Sequence, residues 1–217
     1  MSGTVGDNVA RASGVIASAG SAGIWTKIAT QDITTNTTEV DFTTLSTDYK
    51  DFRIIGSGLR CSSNNKHLYI RVSVASSWIE TGSKYQTGTV GWDVANSSIN
   101  TAGWGEDNGN YFRLDSGYNA GSAAMGNATG YGSRFQFTIA DVHDTTMWKY
   151  ANWESCFTMS TPIAQATDTQ GNNGFGSFGV GSSAAPAAGD AIDGLRVYWS
   201  GGDTAEGNFI LYGRSVT

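Results

Sequence analysis

Residues 67–76 have the sequence HLYIRVSVAS, and this stretch decides the fold class. Every second position is aliphatic, namely Leu68, Ile70, Val72 and Val74, and the positions between them are aromatic, charged or hydroxylated. A period of two is typical of a β-strand with one buried face, because successive side chains of a strand point to opposite sides. The stretch therefore predicts a strand whose four aliphatic side chains face a core.

The same alternation recurs in both directions from this strand. In the penultimate candidate strand, Leu195, Val197 and Trp199 are predicted to face the core, while Arg196 and Tyr198 face outward. Strands are predicted at 24–28, 38–42, 52–56, 85–92, 111–114, 135–139, 149–159, 175–180, 192–200 and 209–215. We expect the last two to pair with each other through the turn 200–208, with Trp199 and Phe209 in the core.

Nine to eleven strands joined by turn sequences are the pattern of a β-sandwich or jelly roll. No period of 3.6 appears after residue 24, so the sequence predicts an all-β fold in which residues 24–217 form a single β-sandwich domain. Three glycine-rich segments, at 102–110, 117–132 and 170–189, are interpreted as long loops. Aromatic residues make up 12% of the 217 residues, which is enough large apolar area for a core without crosslinks.

Residues 1–23 differ from the rest of the chain because Gly, Ser and Ala dominate them. Their one apolar cluster contains Val15 and Ile16, and so short a cluster buries too little surface to fold alone. We interpret this segment as an extended N-terminal arm that orders against a partner. It lacks a basic region followed by an apolar region, so no secretory signal is expected.

Charge limits the range of partners. The formal net charge is −6, and the 13 Lys and Arg residues are scattered along the chain. A surface that binds nucleic acid or an anionic membrane needs clustered cations, so neither partner is expected. No apolar stretch reaches the roughly 18 residues of a membrane-spanning helix.

The two cysteines, Cys61 and Cys156, lie outside any metal-binding spacing. We interpret them as free thiols buried in adjacent core strands, with a disulfide between them as the alternative.

Catalytic and metal-binding chemistry has little support in the sequence. Asp141, His143 and Asp144 are a candidate metal site, but a polar turn after the strand 135–139 is the simpler interpretation. The acidic segment 106–108 could offer oxygen ligands to Ca²⁺, but it lacks alternating acidic spacing, so a solvated loop is expected. No catalytic residue and no cofactor site is predicted, and we expect the protein not to be an enzyme.

Aromatic residues near glycine-rich segments are candidates for ligand contact, namely Trp78, Trp92, Trp104, Tyr118 and Tyr131. Flat rings among hydroxyl and amide groups suit the binding of sugars and adaptable protein contacts. The alternative is that most of these rings belong to the core or to a subunit interface.

Three segments carry a resemblance to a known group. Residues 6–16, GDNVARASGVI, resemble the N-terminal segments of tail-fibre-like proteins of tailed bacteriophages. Residues 192–199, IDGLRVYW, followed by residues 207–213, GNFILYG, are similar to the closing strands of many phage virion proteins. Residues 49–56, YKDFRIIG, are similar to a strand of the same group.

The resemblance implies a non-enzymatic phage virion protein, commonly a homotrimer, that is assembled in the host cytoplasm and released by lysis. The first hypothesis is a tail-fibre or tail-associated protein that presents its β-sandwich to a glycan or protein of the host surface. The alternative is a capsid decoration (cement) protein that clamps neighbouring major capsid subunits. In either case the arm would anchor the chain to a tail, baseplate or capsid partner through Asp7, Asn8, Arg11, Val15 and Ile16.

The arm is predicted to be needed for assembly and not for folding. A truncated chain that begins at Ile24 should melt cooperatively near the temperature of the full chain, because the alternating strands all follow residue 23. The same truncated chain should fail to join virions in a complementation assay. A truncated chain that does not fold would instead place Val15 and Ile16 in the core.

Overall fold

The computed structural model describes residues 23–80, 84–95, 98–115, 127, 132–158, 169–179 and 190–215. The described residues form an all-β fold of antiparallel strands, and the prediction of a β-sandwich is confirmed. The strands are β1 Trp25–Ile33, β2 Glu39–Thr43, β3 Asp51–Cys61, β4 Leu68–Val74, β5 Ser77–Trp78, β6 Tyr85–Ala95, β7 Ser98–Gly109, β8 Phe112–Arg113, β9 Ser133–Ile139, β10 Lys149–Thr158, β11 Thr169–Phe178, β12 Ile192–Trp199 and β13 Thr204–Arg214.

The strands belong to two sheets. The large sheet has eight strands in the order β1-β13-β3-β9-β10-β11-β6-β7. The small sheet has five strands. Four of them follow the order β2-β12-β4-β5, and β8 pairs with β4 at Tyr69 and Ile70. Within the described ranges, no helix has the length and apolar character needed to cross a membrane.

One hydrophobic core lies between the sheets. The small sheet supplies Leu68, Ile70 and Val72 from β4, all at most 1% exposed, as the period of two predicts. Val74 was also predicted to face the core, but it is only partly buried and packs against the edge of the core. Leu195, Val197 and Trp199 are buried on β12 while Arg196 and Tyr198 face outward, so that prediction is confirmed.

The last two strands do not form the predicted hairpin. Trp199 and Phe209 are both in the core, as expected, but β12 pairs with β2 and β4 while β13 pairs with β1 and β3. The chain therefore crosses from one sheet to the other at residues 200–203. Trp199 Nε1 donates a hydrogen bond to Thr204 Oγ1 at 3.0 Å, which fixes this crossing inside the core.

Two glycine-rich segments predicted as loops are strands. Residues 102–109 lie in β7, and residues 170–178 lie in β11, where the prediction had placed a strand only from residue 175. Strands β5 and β7 were not predicted, so the structure describes 13 strands against the nine to eleven predicted. The third segment, 117–132, lies outside the described residues except for positions 127 and 132.

The reason for glycine in these strands is the aromatic side chain directly opposite. Gly174 on β11 pairs with Trp153 on β10, and a Cβ at Gly174 would lie 2.0 Å from Trp153 Cε2. Gly56 on β3 pairs with Phe135 on β9, where a Cβ would lie 2.2 Å from the ring. Each ring lies across the backbone of the neighbouring strand, and only glycine leaves room for it.

Both cysteines are free, but the rest of their interpretation is wrong. Cys61 is buried on β3, whereas Cys156 is exposed on β10. The two strands are separated by β9 in the large sheet, so the thiols are not on adjacent strands. Cys156 faces outward because the inward positions of β10 are the odd-numbered ones.

Substituting Gly174→Ala is expected to destabilise the fold by about 1–3 kcal/mol, the usual effect of overpacking a core, because the new methyl group would displace the Trp153 ring. Gly105→Ala is the matched control, since a Cβ there meets only Thr87 O at 3.7 Å. The free energies of unfolding should be compared by urea denaturation. Equal effects of the two substitutions would contradict the ring-on-glycine packing.

Candidate functional site

The outer face of the large sheet carries an exposed apolar surface at its β10-β11-β6 end. Phe175 on β11 is 68% exposed, Tyr150 on β10 is 59% exposed and Val90 on β6 is 52% exposed. They face outward because their strand neighbours Phe178, Ala151 and Thr89 occupy the inward positions. We call the surface formed by Tyr150, Phe175, Gly88 and Gly105 the platform.

The Phe175 ring lies flat against the sheet. Phe175 pairs directly with Gly88 on β6, and a Cβ at Gly88 would lie 2.9 Å from Phe175 Cζ. Gly88 in turn pairs with Gly105 on β7, so two consecutive positions of this row carry no side chain. One face of the ring therefore covers backbone, and the other face is open to solvent.

An open depression of about 610 Å³ lies on the platform. This volume falls in the range of roughly 300–1,000 Å³ that is usual for small-ligand sites. Its described lining contains no charged residue and consists of Gln86, Thr87, Gly88, Gly105, Tyr150, Ala151, Phe175, Gly176 and Ser177. The lining combines two aromatic rings with hydroxyl and amide groups.

The polar groups at the base of the depression are held in place. Ser177 Oγ donates a hydrogen bond to Gln86 Oε1 at 3.3 Å, and these two residues are directly paired on β11 and β6. Tyr150 pairs with Ser177 from the other side, so three polar side chains form one row across the sheet. The backbone of these strands is used in sheet pairing, and only side chains and ring faces remain to contact a ligand.

Two other surface rings are covered by arginine side chains. Arg53 and Arg214 lie 4.1 and 5.1 Å from the centre of the Trp25 ring, at the opposite end of the same face. Arg196 lies 4.2 Å from the Trp78 ring. Among the described residues, no cation and no second ring covers the outer face of Phe175, which distinguishes the platform.

The outer face of the small sheet is an internally paired network. Arg196 donates to both carboxylate oxygens of Asp41, at 2.8 and 2.7 Å, and also lies 2.7 Å from Glu39 Oε2. Arg71 pairs with Glu80 at 2.9 Å and lies over the Tyr198 ring. Charges that neutralise one another in this way indicate a structural role rather than a binding site.

A smaller pocket of about 190 Å³ lies at the end of the small sheet, beside the β4–β5 turn. Its carboxylate, Asp193, accepts hydrogen bonds from the Ser73 hydroxyl and from the Ser76 amide. Ala75 and Ser76 have φ of 48° and 61°, a conformation that glycine and asparagine favour in two-residue hairpin turns. Asp193 therefore stabilises a strained turn, and both its oxygens are engaged.

A buried ionic cluster connects the start of β4 to the end of β8. His67 Nδ1 lies 2.8 Å from Asp115 Oδ2 and 3.0 Å from a terminal nitrogen of Arg113. Asp115 is completely buried, and burial raises its pKa, although hydrogen bonds and charges from His67 and Arg113 act in the opposite direction. Within the described chain, no Ser, Thr or Cys side chain contacts the imidazole, so the cluster lacks the nucleophile of a hydrolytic triad.

The candidate metal residues are not brought together. His143 Nε2 donates to Ser46 O at 3.1 Å, and Asp141 pairs with Lys50 at 2.7 Å. Asp144 accepts hydrogen bonds from the backbone and hydroxyl of Thr146, which lower its pKa. The segment is a polar turn, and the described residues contain no group of three His, Cys, Asp or Glu placed to hold a metal ion.

Most of the residues predicted as binding candidates lie outside the described residues. This applies to Asp7, Asn8, Arg11, Val15 and Ile16 of the arm, to Tyr118 and Tyr131, and to the side chains of Trp92 and Trp104. Trp78 is described, half-buried under Arg196. The segment 106–108, interpreted as a solvated loop, lies in strand β7.

Sequence analysis missed Phe175 and Tyr150. A signal was present, because Phe175 and Phe178 are three positions apart and must point to opposite faces of one strand. Phe178 supplies the core, being 2% exposed, and Phe175 is therefore left outside.

Comparison with known proteins does not identify the chain. No protein-family model matches it, and the comparison with curated proteins gives no match. The VP2 subviral particle of infectious bursal disease virus aligns over 90% of this chain and 33% of that chain, at 12% identity with a TM-score of 0.17. A structure of the Gx strain of infectious bursal disease virus aligns over 85% of this chain and 38% of that chain, at 12% identity with a TM-score of 0.16. The chain spans about a third of the length of these solved chains, and TM-scores of this size support no conclusion about fold or function.

The contribution of Asp115 to the free energy of unfolding should depend on pH. Its folded-state pKa is raised above the unfolded value of about 3.9, so its contribution to stability becomes more favourable as the pH falls through the folded pKa. The unfolding free energy of the native protein, minus that of D115N, is expected to rise between about pH 7 and about pH 4. A decrease, measured by urea denaturation, would mean that pairing with Arg113 and His67 outweighs burial.

Proposed function

We propose that the chain is a non-enzymatic structural protein of a bacteriophage virion, attached to the tail and presenting its β-sandwich to the host surface. Residues 1–23 anchor it to a tail or baseplate protein, and the β-sandwich associates as a homotrimer. The observation that carries the host-binding part of the proposal is the platform, where an aromatic ring face is held open to solvent on a rigid sheet.

The resemblance to phage virion proteins falls on strands that are close together. Residues 49–56 contain the start of β3, and residues 207–213 lie in β13. These two strands pair side by side, with Ile55 opposite Ile210 and Gly56 opposite Phe209. These two segments are distant in sequence but adjacent in the sheet, which supports a shared structural unit, whereas residues 192–199 lie in β12 of the other sheet and residues 6–16 lie outside the described residues.

The platform suits attachment for a mechanical reason. Its two aromatic rings lie on strands with neighbours on both sides, β10 between β9 and β11, and β11 between β10 and β6. A contact made by a ring on such a strand is held by the sheet and needs little ordering on binding, which reduces the entropic cost of association. A binding surface made of flexible loops would instead have to become ordered on binding, which costs conformational entropy.

The expected location on the virion is the tail. Antibodies against the protein, bound to intact virions and seen by electron microscopy, should label the tail at a small number of sites. Labelling over the whole capsid would support the alternative of a decoration protein, and absence from purified virions would overturn the proposal.

Light scattering of the purified full chain should give the mass of three chains, and added protein should compete with virions for adsorption to host cells.

A further inference from the structure

The ligand of the platform has to match three properties of the surface. First, the backbone amides and carbonyls of β10, β11 and β6 are used by neighbouring strands on both sides. A peptide strand therefore cannot pair with these three strands, because that mode of binding needs an unpaired edge, which at this end of the described sheet lies at β7.

Second, the lining that the structure describes is uncharged, so nothing in it favours an anionic or cationic ligand. The charged side chain nearest along β10 on this face is Glu154, on the same strand as Tyr150 but four residues away. A charged polymer would lose hydration on entering the depression and gain no opposite charge, which makes a neutral ligand the better fit.

Third, the exposed groups combine flat rings with hydrogen-bonding side chains. The face of an aromatic ring is the negative part of its quadrupole and attracts weakly positive C–H groups. A pyranose ring offers such C–H groups on one side and hydroxyl groups around its edge. Phe175 and Tyr150 can contact the C–H side. The Tyr150 hydroxyl and the partly buried Gln86 side chain can face the ring hydroxyls, whereas Ser177 is buried and holds Gln86 in place.

We infer that the platform is a binding site for a neutral hexose polysaccharide. The inference rests on the proposed function and deepens it, since it names the chemical class of the host-surface ligand. The polysaccharide lies across the strands, over Gly88 and Gly105, with one sugar ring stacked on the open face of Phe175. Gly88 is required because a side chain there would displace the Phe175 ring, and Gly105 because a side chain there would stand in the path of the polymer.

A second copy of the chain fits the platform less well. A two-fold contact would place the same patch on both partners, so one depression would face another. The glycine floor at Gly88 and Gly105 has no side chain to fill the opposite cavity, and tight packing is what stabilises a protein interface. The described apolar groups, Phe175, Tyr150 and Val90, also form only a small patch.

The test is affinity electrophoresis of the full chain in native gels that contain dextran, mannan or galactan, with alginate as the anionic control. We expect retardation by at least one of the three neutral polymers and none by alginate. F175A should weaken the apparent affinity at least tenfold, F175L should weaken it similarly, and F175W should retain it. M147A is the matched control, because Met147 is 53% exposed but lies in a turn outside the platform.

The leucine variant separates ring stacking from general apolar contact, because it keeps a large apolar side chain and loses the ring face. F175L binding as well as the native protein would overturn the inference. Migration unaffected by all three neutral polymers, or retarded by alginate alone, would also overturn it. Loss of the trimeric mass in F175A would show a second copy as the occupant instead.

Nuclear magnetic resonance gives an independent test of where on the protein the polysaccharide binds. Titration with the polymer that binds should shift the amide signals of Gly88, Gly105 and Gly176, and should leave Gly56 unchanged on the far side of the sheet. The same titration with F175A shows whether that variant is folded.

Tail labelling without polysaccharide binding would overturn this inference alone, whereas binding by a protein absent from virions would overturn the proposed function alone.

Discussion

Aromatic rings that lie across glycines of the neighbouring strand determine how the large sheet is built. Phe135 covers Gly56, Trp153 covers Gly174 and Phe175 covers Gly88, each pair being directly opposite in the register. Glycine weakens a strand because it loses the most conformational entropy on folding and has no side chain to pack. Here the ring from the adjacent strand supplies the missing packing. Two of these pairs fill the core between the sheets, and the third uses the same geometry on the solvent side, where the covered glycine creates the platform.

Alternation of aliphatic residues made much of the fold predictable, and its limits account for the errors. Strand β4 was predicted correctly because its inward side chains are branched and aliphatic, and such residues favour strands for their own sake. Strand β11 was predicted as a loop over most of its length because glycine is the usual turn residue, and the ring that makes glycine necessary comes from another strand. The pairing of β12 was wrong because hydrophobic pattern gives the facing of a strand and not its sheet. Phe175 lay in the predicted strand 175–180, but no face was assigned to that strand, so the exposure of Phe175 was not predicted.

The two outer faces differ in how their polar and aromatic groups are used. On the small sheet, Arg196 satisfies Asp41 and Glu39 and also covers Trp78, so its groups are occupied by one another. At one end of the large sheet Trp25 lies under two arginines in the same way. The platform departs from this pattern. Leaving one large ring uncovered exposes apolar area to water without any gain to the fold, and exposed patches of this kind usually mark an interaction site.

The crossing at residues 200–203 has a consequence for how the chain is made. Strands β12 and β13 occupy interior positions, β12 between β2 and β4, and β13 between β1 and β3. Until the ribosome has synthesised residues 192–214, β1 and β2 have no strand partner in either sheet, and β3 and β4 each lack one neighbour. Six strands of the large sheet, β3-β9-β10-β11-β6-β7, can pair before then, but β1 and β2 remain unpaired, and β3 and β4 keep open strand edges that are exposed to aggregation. Both sheets then close together, in one late step that depends on contacts between the two ends of the described chain, and such non-local closure is slow.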